Sequence, residues 1–182
     1  MPKKKSTTKP AMETMDVTAL IKRPRHLEAI GTLTVEITHM ERAISELFGV
    51  IMGIHSFLGE AIYFTVNSAI ARMDIVRNVA PMVLFKFPDD LKKINKFLGR
   101  ATSVMGKRHA VIHSFWMLSE KGEDIARERL GEFRKSRMTV VTLTELNKQI
   151  EDVQRLTNEI YEYCGQFRVA HPKDIGRLRD YW

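Results

Sequence analysis

IGTLTVEITHMERAISELFGVIMGIHSFL, residues 30–58, decides the fold class. Its apolar positions Ile30, Leu33, Ile37, Met40, Ile44, Leu47, Ile51, Ile54 and Leu58 advance in alternating steps of three and four. An α-helix turns once in about 3.6 residues, so this spacing holds one face apolar along its whole length. A stripe so regular is the seam of a bundle and requires other helices to cover it.

Three further stripes follow. Ile62, Val66, Ala69, Met73, Val76, Ala80 and Val83 keep the same rhythm. Pro81 is expected to kink or end that helix, because it lacks an N–H and its ring crowds the preceding turn. Phe87-Pro88-Asp89-Asp90 reads as a stop followed by a new start, since proline suits a first turn and carboxylates suit a helix N-terminus. The third stripe then runs Leu91, Ile94, Leu98, Ala101, Met105, position 108, Ile112 and Phe115. A capping box, Thr142 with Glu145, opens the fourth, which continues through Leu146, Ile150, Val153, Thr157, Ile160, Cys164 and Phe167. The expected fold is therefore all-α, a bundle of four long helices.

A charged insertion, Glu120 to Arg137, separates the last two helices. Phe115 to Leu118 and the β-branched run Thr139-Val140-Val141-Thr142 flank it. This pattern fits a short β-hairpin, with a short helix over Asp124 to Phe133 as the competing reading. The chain divides into a flexible basic arm (1–25), the helical bundle domain (26–168) and a C-terminal tail (169–182) ending in Tyr181-Trp182.

The 182 residues suit one domain, and 44% apolar content supports a core. No apolar run is long enough to span a bilayer, and no apolar stretch follows the basic N-terminus as a signal peptide requires. The single cysteine, Cys164, excludes an internal disulfide and a multi-cysteine zinc site; it fits a cytoplasmic location. Net charge is +7, but it is unevenly placed. Residues 1–25 hold seven basic and two acidic side chains, whereas the other 157 hold 22 and 20. A basic arm can attract phosphates without sequence preference, or simply keep the chain soluble.

Arg108-His109-Ala110-Val111-Ile112-His113 interrupts the third stripe with a guanidinium. An unpaired buried Arg is costly, so Arg108 needs an acidic partner, a cleft or a subunit interface. Glu41, beside Met40, is the first choice of partner, and Asp74, beside Met73, the second. Five residues turn a straight helix by about 500°, which leaves Arg108 and His113 roughly 140° apart. Gly106 weakens the helix just ahead of the pair and offers a place to bend. His109 and His113 have the spacing of a two-histidine metal site, but no nearby cluster supplies more ligands, and no metal or cofactor is expected.

Arg108, His109 and His113 match the motif of Arg, four to six residues, then His, with Asn, Asp or His favoured after the Arg. In a small helical bundle this resembles the HEPN superfamily (higher eukaryotes and prokaryotes nucleotide-binding). Ser114-Phe115-Trp116 is similar to the ending of a bacterial branch. The first helix with Glu41, the Arg72-to-Asn78 segment and the late Thr-x-x-Glu helix follow the order of that branch. The likeness covers residues 27–168 as architecture. Two positions depart from the commoner pattern: His109 stands in place of Asn, and Ser114 in place of Gly.

The resemblance implies metal-independent RNA cleavage by a homodimer whose two motifs meet across a shared cleft. Arg108 and His113 are the implied catalytic residues. His109 is implied to orient the scissile phosphate, with Glu41 and Asp74 in support. A toxin or phage-defence role follows from the same likeness, with an antitoxin or another protein as partner. The alternative is a catalytically inactive bundle of the same kind that binds a protein partner or a nucleotide. A third reading is an elongated coiled-coil scaffold carrying a basic arm.

Overall fold

The computed structural model describes residues 20–112, 114–118, 124–129 and 139–171. The remaining parts of the expected basic arm, of the charged insertion and of the C-terminal tail lie outside the described residues, as does His113. Five helices and a small sheet make up the described chain, in the order α1 (Pro24–Met52), α2 (Ser56–Tyr63), α3 (Ala69–Val83), α4 (Pro88–Ile112), β1 (Ser114–Leu118), β2 (Ile125–Arg129), β3 (Thr139–Val141) and α5 (Leu143–Ala170). The all-α expectation holds, with two corrections to the helix boundaries.

The first correction falls at Gly53. The 30–58 stripe is carried by α1 only as far as Met52. Gly53 adopts φ 63°, a left-handed conformation that suits glycine. Its N–H donates to the Val50 carbonyl at 3.2 Å, and Ile54 N–H donates to the Gly49 carbonyl at 3.0 Å. This double bond pattern closes the helix C-terminus. Leu58 therefore lies on α2, half exposed to solvent. α2 is bent 117° from α1 and approaches it through Gly49 and Gly59. A Cβ at Gly59 would stand 2.8 Å from the Gly49 Cα, so the crossing depends on a bare backbone there.

The second correction concerns the 62–83 stripe. Ile62 ends up in α2, and the chain restarts at α3, where the Ser68 hydroxyl accepts from Ala71 N–H. Pro81 sits two residues before the end of α3, in keeping with its missing donor. α4 opens at Pro88 with Asp89 and Asp90 in its first turn, as the sequence indicates. Thr142 and Glu145 form the expected reciprocal capping box of α5.

α1 packs chiefly along α5, while α3 lies against α4. The core gathers Leu33, Ile37, Met40, Ile44 and Leu47 of α1, Ile94 and Leu98 of α4, and Leu146, Leu156 and Ile160 of α5. At about 25 cal/mol per Å² of apolar surface, each such side chain contributes roughly 1.5–3 kcal/mol. The sheet is an antiparallel meander, β1-β2-β3, with Leu118 opposite Ile125 and Ile125 opposite Val141. The insertion takes the strand reading, but its two flanking segments, β1 and β3, do not pair with each other: residues 125–129 form β2 between them. Ile125 and Val141 fasten the sheet to the core.

No single described helix is long and apolar enough to cross a membrane.

Candidate functional site

Arg108 lies one turn before the end of α4, on the side facing the bundle. Val104 of α4, Leu33 and Ile37 of α1, and Gln149, Asp152 and Val153 of α5 surround it in a cavity of about 10 Å³. That space admits about one water and nothing larger. Its Nε is buried without a hydrogen-bond partner, a cost of roughly 1–3 kcal/mol.

Neither expected acidic partner reaches Arg108. Glu41 is taken by Arg72, whose Nη2 donates to Oε1 at 2.6 Å. The same guanidinium donates to the Val66 carbonyl at 2.9 Å and lies 4.9 Å from the Phe64 ring centroid. Glu41 and Arg72 are only 16% and 11% exposed, so this pair locks the α2–α3 connection onto α1. Tyr63 is buried beside it. Burial raises the pKa of the Tyr63 phenol well above its usual range, and the Arg72 charge opposes that shift only in part. Asp74 instead meets Arg77 on its own helix, in a pair about half exposed. The supporting roles expected of Glu41 and Asp74 at Arg108 are thus replaced by structural pairs elsewhere. Asp152 shares the Arg108 cavity, but its ion pair is with Arg155.

The register of the α4 stripe also changes at its end. Met105 is buried as expected, but Val111 takes the buried position in place of Ile112, which turns toward solvent. The helix runs unbroken through Gly106 and stops at Ile112. The Ser114 hydroxyl donates to the Ala110 carbonyl across this end. β1 begins at Ser114, and His113 lies outside the described residues. His109 is exposed on the last turn.

An open groove of about 370 Å³ adjoins the Arg108 cavity between α4 and α5, sharing Val104, Lys107 and Asp152 with it. Arg100, Lys107 and Arg155 supply its positive charge; Asp152 and Glu159 supply the negative. Arg100 grips both oxygens of Glu159 and, through those hydrogen bonds, holds its carboxyl below the usual carboxylate range.

The sequence reading passed over a second cluster, where α5 ends against the start of α4. The Tyr163 hydroxyl donates to Asp90 Oδ1 at 2.9 Å, and His171 Nε2 lies 3.4 Å from Asp90 Oδ2. The His171 ring packs against Phe87 and Phe167. Phe87 and Asp90 stand 73 or more positions before Tyr163, Phe167 and His171, so spacing along the chain gives no signal that the two groups meet. Among the described residues, no group of three or more His, Cys, Asp or Glu is placed to hold a metal ion. No protein-family model, curated protein or solved structure matches the chain.

Proposed function

We propose that the chain is a HEPN-like, metal-independent endoribonuclease that acts in the cytoplasm as a homodimer, in a toxin or phage-defence setting. The observation that carries this reading is Arg108 itself. Its guanidinium occupies a bundle-facing position and has no carboxylate partner among the described residues, because Glu41 and Asp74 are engaged elsewhere. A register-fixing ion pair, the main structural explanation for such a residue, therefore loses its candidate partners. The cavity beside Arg108 is too small for a phosphate within one chain. A shared site with a second copy fits that constraint.

In this mechanism His113 of one copy takes the proton of a ribose 2′-hydroxyl. The 2′-oxygen attacks the adjacent phosphorus, and the bond to the 5′-oxygen breaks. His113 of the second copy gives a proton to the leaving 5′-oxygen. Histidine can serve as base or acid because its ordinary pKa lies near neutrality. Arg108 stabilises charge on the phosphorane oxygens, which suits a forked donor, and His109 orients the phosphate. The products are a 2′,3′-cyclic phosphate and a 5′-hydroxyl. Incubating mixed RNAs with the protein in EDTA tests this: cleavage is expected, and His113→Ala should abolish it while leaving the fold intact.

The second reading is an inactive bundle that docks on a protein. The observation that favours it is the outer face of α2, where Phe57 is 72% and Leu58 53% exposed beside Ile62. Exposed apolar patches of this kind mark interaction surfaces. Capture of a single heterologous partner, with no cleavage of any RNA, would select this reading.

A further inference from the structure

α2 is capped at its start by a side chain that titrates near neutrality. His55 stands at the N-cap with extended backbone, φ −61° and ψ 140°, and its Nδ1 accepts from Phe57 N–H at 3.3 Å. Serine, threonine, asparagine and aspartate usually fill this role, because their oxygens accept a hydrogen bond throughout the neutral range. An imidazole nitrogen accepts only while it is unprotonated. No acidic residue in the first turn of α2 adds to the cap. The ring also stacks on Phe57, with 5.4 Å between centroids and 22° between planes.

His55 is the only titratable side chain between Glu46 and Glu60. The charged groups of the packed elements are engaged elsewhere. Arg42 of α1 reaches Glu60 of α2 at 3.6 Å, and Glu46 of α1 pairs with Arg168 of α5. Burial raises the phenols of Tyr63, at the far end of α2, and of Tyr161 on α5, so both stay neutral in acid. Among the described residues no carboxylate pairs with His55.

We propose that His55 is a proton-sensitive cap that releases the first turn of α2 on acidification. Protonation puts a hydrogen on Nδ1, which then meets the Phe57 N–H donor to donor. It also sets a positive charge beside the partial positive charge of a helix N-terminus. The stack on Phe57 tolerates an imidazolium, so the backbone bond is what acid removes. Imidazoles ordinarily titrate at about pH 6.5, so the cap holds above about pH 7 and is lost as pH falls through about 6. The rest of α2 stays in place through the close approach of Gly49 and Gly59 and through the Arg42–Glu60 pair. Release is therefore confined to Ser56, Phe57 and Leu58, and the last two are the most exposed large apolar side chains of α2. The apolar surface that α2 offers is thus under proton control. The switch uses none of Arg108, His109 or His113 and stands apart from the ribonuclease reading.

Amide NMR of the full chain between about pH 7.5 and about pH 5, at fixed ionic strength, tests the switch. Two signals report on it: the Phe57 amide proton, which donates to His55, and the Gly59 amide, whose bond to the His55 carbonyl at 3.0 Å closes the first turn. In the parent the Phe57 proton should move upfield on acidification. The Gly59 protection factor, corrected for intrinsic exchange, should fall at least about threefold, with one midpoint in the histidine range. His55→Asn supplies a cap that does not titrate, and its Gly59 protection should stay constant to within about twofold. His55→Ala should show the low protection at both ends of the range. His55 is exposed, so neither variant disturbs the core. A flat Gly59 profile in the parent, the same fall in His55→Asn, or parental protection in His55→Ala at neutral pH would each overturn the proposal.

Discussion

Arg72 holds Glu41 at 2.6 Å across the α1–α3 junction, and that contact decides what Arg108 can be. With Glu41 occupied, Arg108 has no carboxylate partner among the described residues, and it lines a cavity with Leu33, Ile37 and Val153. The Glu41–Arg72 pair carries the structural role expected of Arg108.

Removing one partner of that pair strands the other. Glu41→Ala should cost about 3 kcal/mol, because a largely buried guanidinium loses its counter-charge. Urea denaturation should show a clearly lower midpoint. An unchanged midpoint would mean that solvent reaches Arg72 and compensates it.

Arg108→Met should behave in the opposite way. Its removal orphans no acidic group among the described residues, and methionine fills the apolar part of its path. Stability should stay within about 1 kcal/mol of the parent or rise, whereas RNA cleavage should disappear. A loss of fold in circular dichroism would show that Arg108 is a structural residue after all.

Two glycines offer a contrast within helices. Gly59→Ala puts a Cβ 2.8 Å from the Gly49 Cα and should destabilise by about 1–3 kcal/mol as α2 is pushed off α1. At Gly106 a Cβ meets nothing within 4 Å, so Gly106→Ala should stabilise by about 0.5–1 kcal/mol. Thermal melting of the two variants should shift in opposite directions.

Burial pushes the Cys164 thiol up from its ordinary 9.0 to about 12, with the Glu46 carboxylate adding to the effect. The thiol stays protonated in the native state at neutral pH, and thiolate reagents should modify it only on unfolding. The folded state also holds its proton more tightly than the unfolded chain does. The associated stability is present below pH 9 and lost as pH rises toward 12. Burial raises the Tyr63 and Tyr163 phenols as well, which reinforces the trend. Urea midpoints measured between pH 8 and 11 should fall steadily; a flat profile would contradict the burial of these groups.

The sequence made the helical core legible where one periodicity ran undisturbed. Leu33, Ile37, Met40, Ile44 and Leu47 are all buried, as their spacing indicates, and so is the α5 stripe from Leu146 to Phe167 apart from the half-buried Ile150. Periodicity does not register a backbone reversal, however. Ile54 and Leu58 continue the rhythm of α1 although Gly53 has already ended the helix. That turn, and the restart at Ala69, bring Arg72 to Glu41, so the ion-pair partner could not be read from stripe positions alone. The three-stranded sheet was legible only as a hairpin, because residues 125–129 are largely charged and carry little strand signal.

The ribonuclease reading turns on the chemistry of the cut ends. RNA incubated with the purified protein in EDTA should yield 2′,3′-cyclic phosphate and 5′-hydroxyl termini by mass spectrometry, and the same preparation of Arg108→Met or His113→Ala should yield none. Intact RNA after incubation with a folded dimer, 3′-hydroxyl and 5′-phosphate termini, or cleavage undiminished in the His113→Ala protein would contradict it.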